Sequence, residues 1–254
     1  MNGPLLAVNN VSKHFGGISA LNQVSFTIKP GRIKGLIGPN GAGKTTLFNL
    51  ITGIYRVSSG EIWFNDQSLH RMPPYKITRA GIARTFQNVR LFTNLSVLGN
   101  VMVGNHLHLK AGIISAALNL PWTIKEEREY QNRARELLKF VGLADCADFT
   151  AAVLPFGQQR LLEIARALAT NPQLILLDEP AAGLSTPERV SLLNLIKAIR
   201  DLGITVLLVE HDMNLVMKVC DEIVVLEFGS KIAEADPETI RNDRRVIAAY
   251  LGEE

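Results

Sequence analysis

Eight consecutive residues, Gly38-Pro39-Asn40-Gly41-Ala42-Gly43-Lys44-Thr45, bring together the residue types that can hold a phosphate chain. Glycines let a tight turn point its backbone N–H groups inward, and the N-terminus of a following helix adds positive potential. In that setting Lys44 supplies a mobile charge for the β- and γ-phosphates and Thr45 a hydroxyl for Mg²⁺, with Thr46 opening the helix behind them. The apolar run 33–37 reads as the strand leading in, and 46–51 as the helix leading out. A second stretch, Leu174-Ile175-Leu176-Leu177-Asp178-Glu179, closes a buried strand on two carboxylates. By itself that is a common way to end a strand. Downstream of a phosphate loop it reads as a pair with divided labour, Asp178 on the metal side and Glu179 as general base for an attacking water.

The elements that must position these residues follow from hydrophobic patterning. The continuous apolar runs 33–37, 174–177 and 206–209 are each followed by loop and helix signals, as expected of parallel strands covered on both faces. Leu192, Leu195, Ile196 and Ile199 fall at i, i+3, i+4 and i+7, giving one apolar face to a helix that Thr186 can cap and Pro187 can start. Asp236-Pro237 repeats the start signal before a short C-terminal helical tail. Residues 5–8, 24–28 and 61–65 read as short strands of an antiparallel layer beside the core. Strand signals vanish between 96 and 160, where 126–140 is charged on one side and apolar on the other, so an inserted helical lobe is expected there. The resulting expectation is one domain, 1–254, with 1–95 and 161–254 forming an α/β core plus β layer and 96–160 the lobe.

Composition narrows the class. A chain of 254 residues, 47% hydrophobic and 20% charged, buries a substantial core and is neither disordered nor fibrous. Its net charge of +3 is spread without a basic run, so no nucleic-acid partner is expected. Cys146 and Cys220 stand far apart with no metal-spaced partner, which reads as buried reduced thiols in a cytosolic protein. Residues 1–10 lack a signal-peptide pattern, and 111–122 falls short of the roughly 20 apolar residues that span a bilayer. Any membrane connection is therefore expected through a partner. The low-charge segment 106–122 reads as internal packing, with contact to a membrane-spanning partner as the alternative, and His106 and His108 are not read as a metal site.

Taken in order, these residues resemble the ATP-binding subunits of ABC transporters. Residues 38–45 match the Walker A motif and 174–179 the Walker B motif, Gln87 matches the Q-loop, Leu154-Pro155-Phe156-Gly157-Gln158 occupies the signature slot, 182–185 the D-loop, and His211 the switch histidine. The resemblance implies a P-loop NTPase fold of ABC type: a mostly parallel sheet, an N-terminal antiparallel β layer and an inserted α-helical lobe. It implies ATP and Mg²⁺ as ligands. Phe15 would stack on adenine, and Gly38, Pro39, Asn40, Gly41, Ala42, Gly43, Lys44, Thr45 and Thr46 would hold phosphates. Glu179, His211, Gln87 and Lys44 would be catalytic, with Thr45, Gln87 and Asp178 on the metal. Within the family, 84–92, 157–160, 178–184, 210–213 and the ending 249–252 resemble branched-chain amino acid importer subunits of the LivG and BraF type.

Such a subunit works at the cytoplasmic face of the membrane beneath two permeases, with a solute-binding protein as an indirect partner. Two ATPase subunits pair head to tail, so Pro155, Phe156, Gly157 and Gln158 would serve the nucleotide held by the other chain. Two departures stand out. Pro155 and Phe156 replace the usual Ser and Gly of the signature, and Ser185 stands where the D-loop commonly has Asp. Pro155 has no N–H, which leaves the backbone of Phe156 and Gly157 to meet a phosphate. The altered signature beside an intact Glu179 favours a heterodimer with a related ATPase, a homodimer being the alternative. Importers of urea, amides or other small polar solutes, a soluble ABC-type ATPase without a permease, and a small-molecule kinase are the competing readings.

Overall fold

The computed structural model describes residues 3–87, 89–105 and 121–251. Segment 106–120, with His106 and His108, lies outside the described residues.

Each of the three apolar runs forms a strand. In β3 (Ile33–Ile37), β7 (Leu174–Asp178) and β8 (Thr205–Val209) every residue is buried, as parallel strands covered on both faces require. They lie side by side in the order β3, β8, β7, all parallel. The three-residue strand β6 (Ile82–Arg84) pairs parallel with β7 on one side. On the other, β9 (Glu222–Glu227) pairs parallel with β3, and β10 (Ser230–Ala235) closes the sheet antiparallel to β9.

Alternation along these strands sends side chains to two cores. Ile33, Ile37, Ile175, Leu177, Val206 and Leu208 face one, while Leu36, Leu174, Leu176, Leu207 and Val209 face the other. The second core is shared with helix α1 (Lys44–Ile51) and an antiparallel sheet of β1 (Leu6–Phe15), β2 (Ile18–Ile28), β4 (Ser59–Phe64) and β5 (Gln67–Ser68) in the order β2, β1, β4, β5. The β layer anticipated from sequence is thus present, with strands longer than expected. Register shifts along β1 let its polar residues continue the pairing.

A buried lysine ties the two sheets together. Lys34 on β3 meets the Thr27 carbonyl on β2 at 2.5 Å, Glu222 at 2.7 Å and Glu234 at 2.5 Å.

The first core takes helix α3 (Val97–Asn105), helix α4 (Pro121–Phe140) and helix α5 (Phe156–Ala169), which follow α2 (Pro74–Ala80). Between 96 and 155 the described residues contain helices, 3-10 turns and one isolated β-bridge, Ser96 with Thr150. Helix α5 runs unbroken across residue 160 from its N-cap at Pro155.

On α6 (Thr186–Asp201), Leu192, Leu195, Ile196 and Ile199 are all buried, as their spacing predicts. Burying each contributes about 1.5–3 kcal/mol. The cap is one residue earlier than expected. Ser185 is the N-cap, and the Glu188 carboxylate accepts from both its backbone N–H at 2.8 Å and its hydroxyl at 2.5 Å. Helix α7 (Met213–Val219) follows β8. Asp236 caps α8 (Pro237–Asn242) by accepting from the N–H groups of Glu238 and Thr239, and α9 (Arg244–Leu251) completes the described chain.

Candidate nucleotide site

Because β3, β8 and β7 run parallel, the loops after them emerge at one edge of the sheet. Open α/β sheets bind their ligands there. The loop after β3 carries Gly38 to Gly43, that after β7 Glu179, and that after β8 Glu210 and His211. They enclose a cleft of about 260 Å³ lined by Ala20, residues 40–46, Gln87, Glu179 and His211.

The loop requires glycine for steric reasons. Gly38 has φ 149°, and a Cβ there would run into the Leu226 carbonyl. Gly43 has φ 101°, and a Cβ would come within 2.7 Å of the Ala20 carbonyl. The Lys44 ammonium folds over the loop, donating to the carbonyls of Gly38 at 2.6 Å and Pro39 at 2.9 Å. Thr45, the second residue of α1, is exposed and lines the cleft. A backbone turned inward, a lysine over it and a hydroxyl at the helix start are the donors a polyphosphate needs.

Glu179 stands at the mouth of this cleft with φ 48°, an unusual backbone for a residue with a side chain. Such a conformation costs on the order of 1–3 kcal/mol and persists only where the surroundings impose it. Here Glu179 N–H is held by the Val209 carbonyl at 2.9 Å. Its carboxylate joins the two loops flanking it, accepting from Gln87 Nε2 at 2.8 Å and meeting His211 Nε2 at 2.7 Å. Three residues distant in sequence thus share one point.

Asp178 is held more tightly. It is 2% exposed, and burial pushes its carboxyl above the usual range, an effect opposed chiefly by Arg84. Arg84 Nη2 donates to Asp178 Oδ2 at 2.9 Å, while Nη1 donates to Asn49 Oδ1 on α1 at 2.6 Å. The Asp178 backbone N–H donates to Thr85 Oγ1 at 3.3 Å. Sequence reading assigned no task to Arg84 or Asn49. The only available signal was an arginine at the end of a short apolar run.

Two further supports escaped the sequence. Glu210, 3% exposed, accepts from Ala181 N–H at 2.7 Å and His211 N–H at 3.2 Å, so it links the histidine loop to the segment after Glu179. Arg160 on α5 donates from Nη1 to the Phe86 carbonyl at 2.8 Å and from Nη2 to the Gln87 carbonyl at 2.5 Å. Glu163 accepts from Phe86 N–H at 3.2 Å. The loop carrying Gln87 is therefore fastened to the helix that begins at the signature slot.

Phe15 does not line the phosphate cleft. The residue is 41% exposed, with the Tyr55 ring edge-on to its own at 5.1 Å and the Lys13 ammonium 4.7 Å from the ring centre. Pro155, Phe156, Gly157 and Gln158 are likewise absent from the cleft lining and open α5 elsewhere. The Phe156 ring lies beside Gly183, where a Cβ would come within 2.9 Å of it, and Arg160 sits 5.2 Å from its centre. The two departures from the family pattern are therefore neighbours, since Gly157 also abuts Glu188, the partner of Ser185.

A glycine phosphate loop, a bridged glutamate and a histidine at one edge of a parallel sheet, with a β layer and helices around them, define a nucleotide-binding cassette. The sequence matches the family model for ABC transporter over residues 21–182, and that for branched-chain amino acid ATP-binding cassette transporter over 230–254. It is 46% identical over 254 residues, the whole of both chains, to the high-affinity branched-chain amino acid transport ATP-binding protein LivG of Escherichia coli K12. It is similar to a crystal structure of an ATP-binding cassette of an ABC transporter in its ADP conformation, with 32% identity, TM-score 0.86 and coverage of 99% of this chain and 100% of that one. It is also similar to a dimeric cassette in a post-hydrolysis state bound to ADP and Pi, with 28% identity, TM-score 0.78 and coverage of 91% and 98%. The chain belongs to the ATP-binding subunits of ABC transporters. Among the described residues no helix is long and apolar enough to cross a membrane.

Proposed function

We propose that this chain binds ATP on the loop of residues 38–45 and hydrolyses it to drive import of branched-chain amino acids through two membrane-spanning permeases. The observation that carries the chemistry is the Glu179 carboxylate, shared by Gln87 and His211 beside the phosphate loop. Lys44 and the loop N–H groups bind the β- and γ-phosphates, replacing the ammonium's bonds to neutral carbonyls with bonds to anionic phosphate oxygens. Glu179 takes the proton of the attacking water, Gln87 orients that water, and His211 donates to the γ-phosphate. Phe15, flanked by Tyr55 and Lys13, offers an aromatic face to the adenine.

The donor set suits magnesium, which proteins hold through one or two carboxylates together with waters, other oxygen donors and substrate phosphates. Thr45, Asp178 and Gln87 would hold it, and when bound it would neutralise charge on the phosphates. Replacing Glu179 by Gln should leave ATP binding within a few-fold of wild type while phosphate release falls about 10²- to 10⁴-fold. Equal hydrolysis by wild type and this variant would remove Glu179 as base.

The solute is inferred from the likeness to LivG and from the match at residues 230–254. We take the helical lobe to span 96–160, with 1–95 and 161–254 as core and β layer. The cassette works at the cytoplasmic face of the membrane, paired with a second ATPase and served by a solute-binding protein. Phe156 and Gly157 then face the nucleotide of the partner. The dimeric cassette bound to ADP and Pi supports such pairing.

A further inference from the structure

We propose that Arg84 is a positioning residue for magnesium, acting through Asp178 by fixing the plane and rotamer of that carboxylate; this rests on the nucleotide site proposed above.

The geometry around Arg84 is that of a clamp. Its side chain is 7% exposed and lies between the rings of Phe48 on α1, 5.4 Å away, and Phe86, 5.1 Å away. One edge of the guanidinium holds Asp178 Oδ2 and the other Asn49 Oδ1, so the planar fork is anchored at both ends. Arg84 Nε is buried without a hydrogen-bond partner, which disfavours keeping an arginine here for packing alone. The strand register supplies the remaining constraint. Arg84 pairs with Leu176 in the parallel ladder, and Thr85, next along, donates its N–H to the Leu176 carbonyl at 2.9 Å. The end of strand β6 and the residue after it therefore hold Asp178 twice, through its side chain by Arg84 and through its N–H by Thr85 Oγ1.

The consequence is that Asp178 does not choose its own orientation. With Oδ2 engaged by Arg84, the carboxylate is presented in one pose relative to Thr45, because Asn49, which braces Arg84, is four residues along the same helix. Partners that orient a metal ligand in this way commonly govern affinity 10- to 100-fold when removed. A positive charge close to a cation site also repels the cation. The proposal therefore makes a directional statement, that orientation outweighs repulsion.

The test is calorimetry of ADP with the full chain, in magnesium and in EDTA, for wild type, Arg84→Met, Arg84→Lys and Asn49→Ala. Arg84→Met should bind ADP in EDTA within about twofold of wild type yet lose roughly tenfold of the magnesium-dependent gain. Arg84→Lys should recover only part of that gain, because an ammonium cannot span Asp178 and Asn49 as a fork. Asn49→Ala keeps the ion pair and should show a smaller loss of the same sign. If Arg84→Met does not fold, the Lys and Asn49 variants carry the test. Equal weakening with and without magnesium, an unchanged magnesium gain, or a gain that increases would overturn the role. Wild type without any magnesium-dependent gain would instead sink the nucleotide site on which it rests.

Discussion

Glu179 shows how much of the site resides in single side chains. Its left-handed backbone, its hydrogen bond to Gln87 and its contact with His211 all converge on one carboxylate, and each places it beside the phosphate loop. Glu210 is the less visible counterpart. Burial pushes its carboxyl above the usual carboxylate range, while the N–H groups of Ala181, His211 and Asp212 pull it back. A folded-state value above the unfolded one means that its favourable contribution is complete at low pH and declines as pH rises through the folded value. Glu210→Gln removes this dependence and adds a constant penalty, since its amide would face His211 N–H. The Tm difference between variant and wild type should thus move in the variant's favour as pH rises from 4.5 towards neutrality. A difference independent of pH over that range would contradict the burial argument.

At the scale of elements, α5 is the connection between distant parts of the site. Its first residues occupy the signature slot, its Arg160 holds two carbonyls of the loop carrying Gln87, and its Glu163 accepts from the same loop. Burial pushes the Glu163 carboxyl up, and the Phe86 N–H, Arg166 and Arg160 oppose that. A ladder of alternating rings and guanidinium groups continues from α1 outward: Phe48, Arg84, Phe86 and Arg90 stack at 5.4, 5.1 and 5.0 Å. Motion of the Gln87 loop is therefore shared with α1 and α5. Arg160→Met should leave nucleotide affinity within about twofold but lower hydrolysis by about 2- to 30-fold, with faster amide exchange in residues 84–87. Faster exchange without any loss of hydrolysis would separate the clamp from catalysis.

At the scale of the whole molecule, the proposed head-to-tail pairing would divide each nucleotide site between two chains. The phosphate cleft is lined by residues 40–46, Gln87, Glu179 and His211, and none of the signature residues reaches it. In that proposed pairing a second chain would supply the signature residues that this one presents elsewhere. The exposed Phe156, wedged beside Gly183 and over Arg160, makes the signature end of α5 bulkier than a Ser-Gly pair would be. Under the proposed pairing, that added bulk favours a partner with a different signature. Native mass measurement of the intact transporter should find one copy of this chain with a related ATPase and two permeases. A functional transporter containing two copies and no second ATPase would refute the heterodimer.

Contiguous residues determined the chemistry that sequence could show. The phosphate loop, the Asp178-Glu179 pair and the apolar strands are local patterns, because backbone sterics and two-sided burial constrain neighbours along the chain. They were legible for the same reason that α6 was, with its apolar face at the expected positions. The N-cap slipped by one residue because Ser185, Thr186 and Glu188 offer overlapping capping patterns that only the folded backbone separates. Strand β6 is three residues long, too short to show a period, yet it delivers Arg84 to an aspartate 94 residues away. Burial made that choice: a carboxylate 2% exposed requires a donor, and which arginine supplies it depends on strand order and register, quantities that exist only once the sheet has assembled.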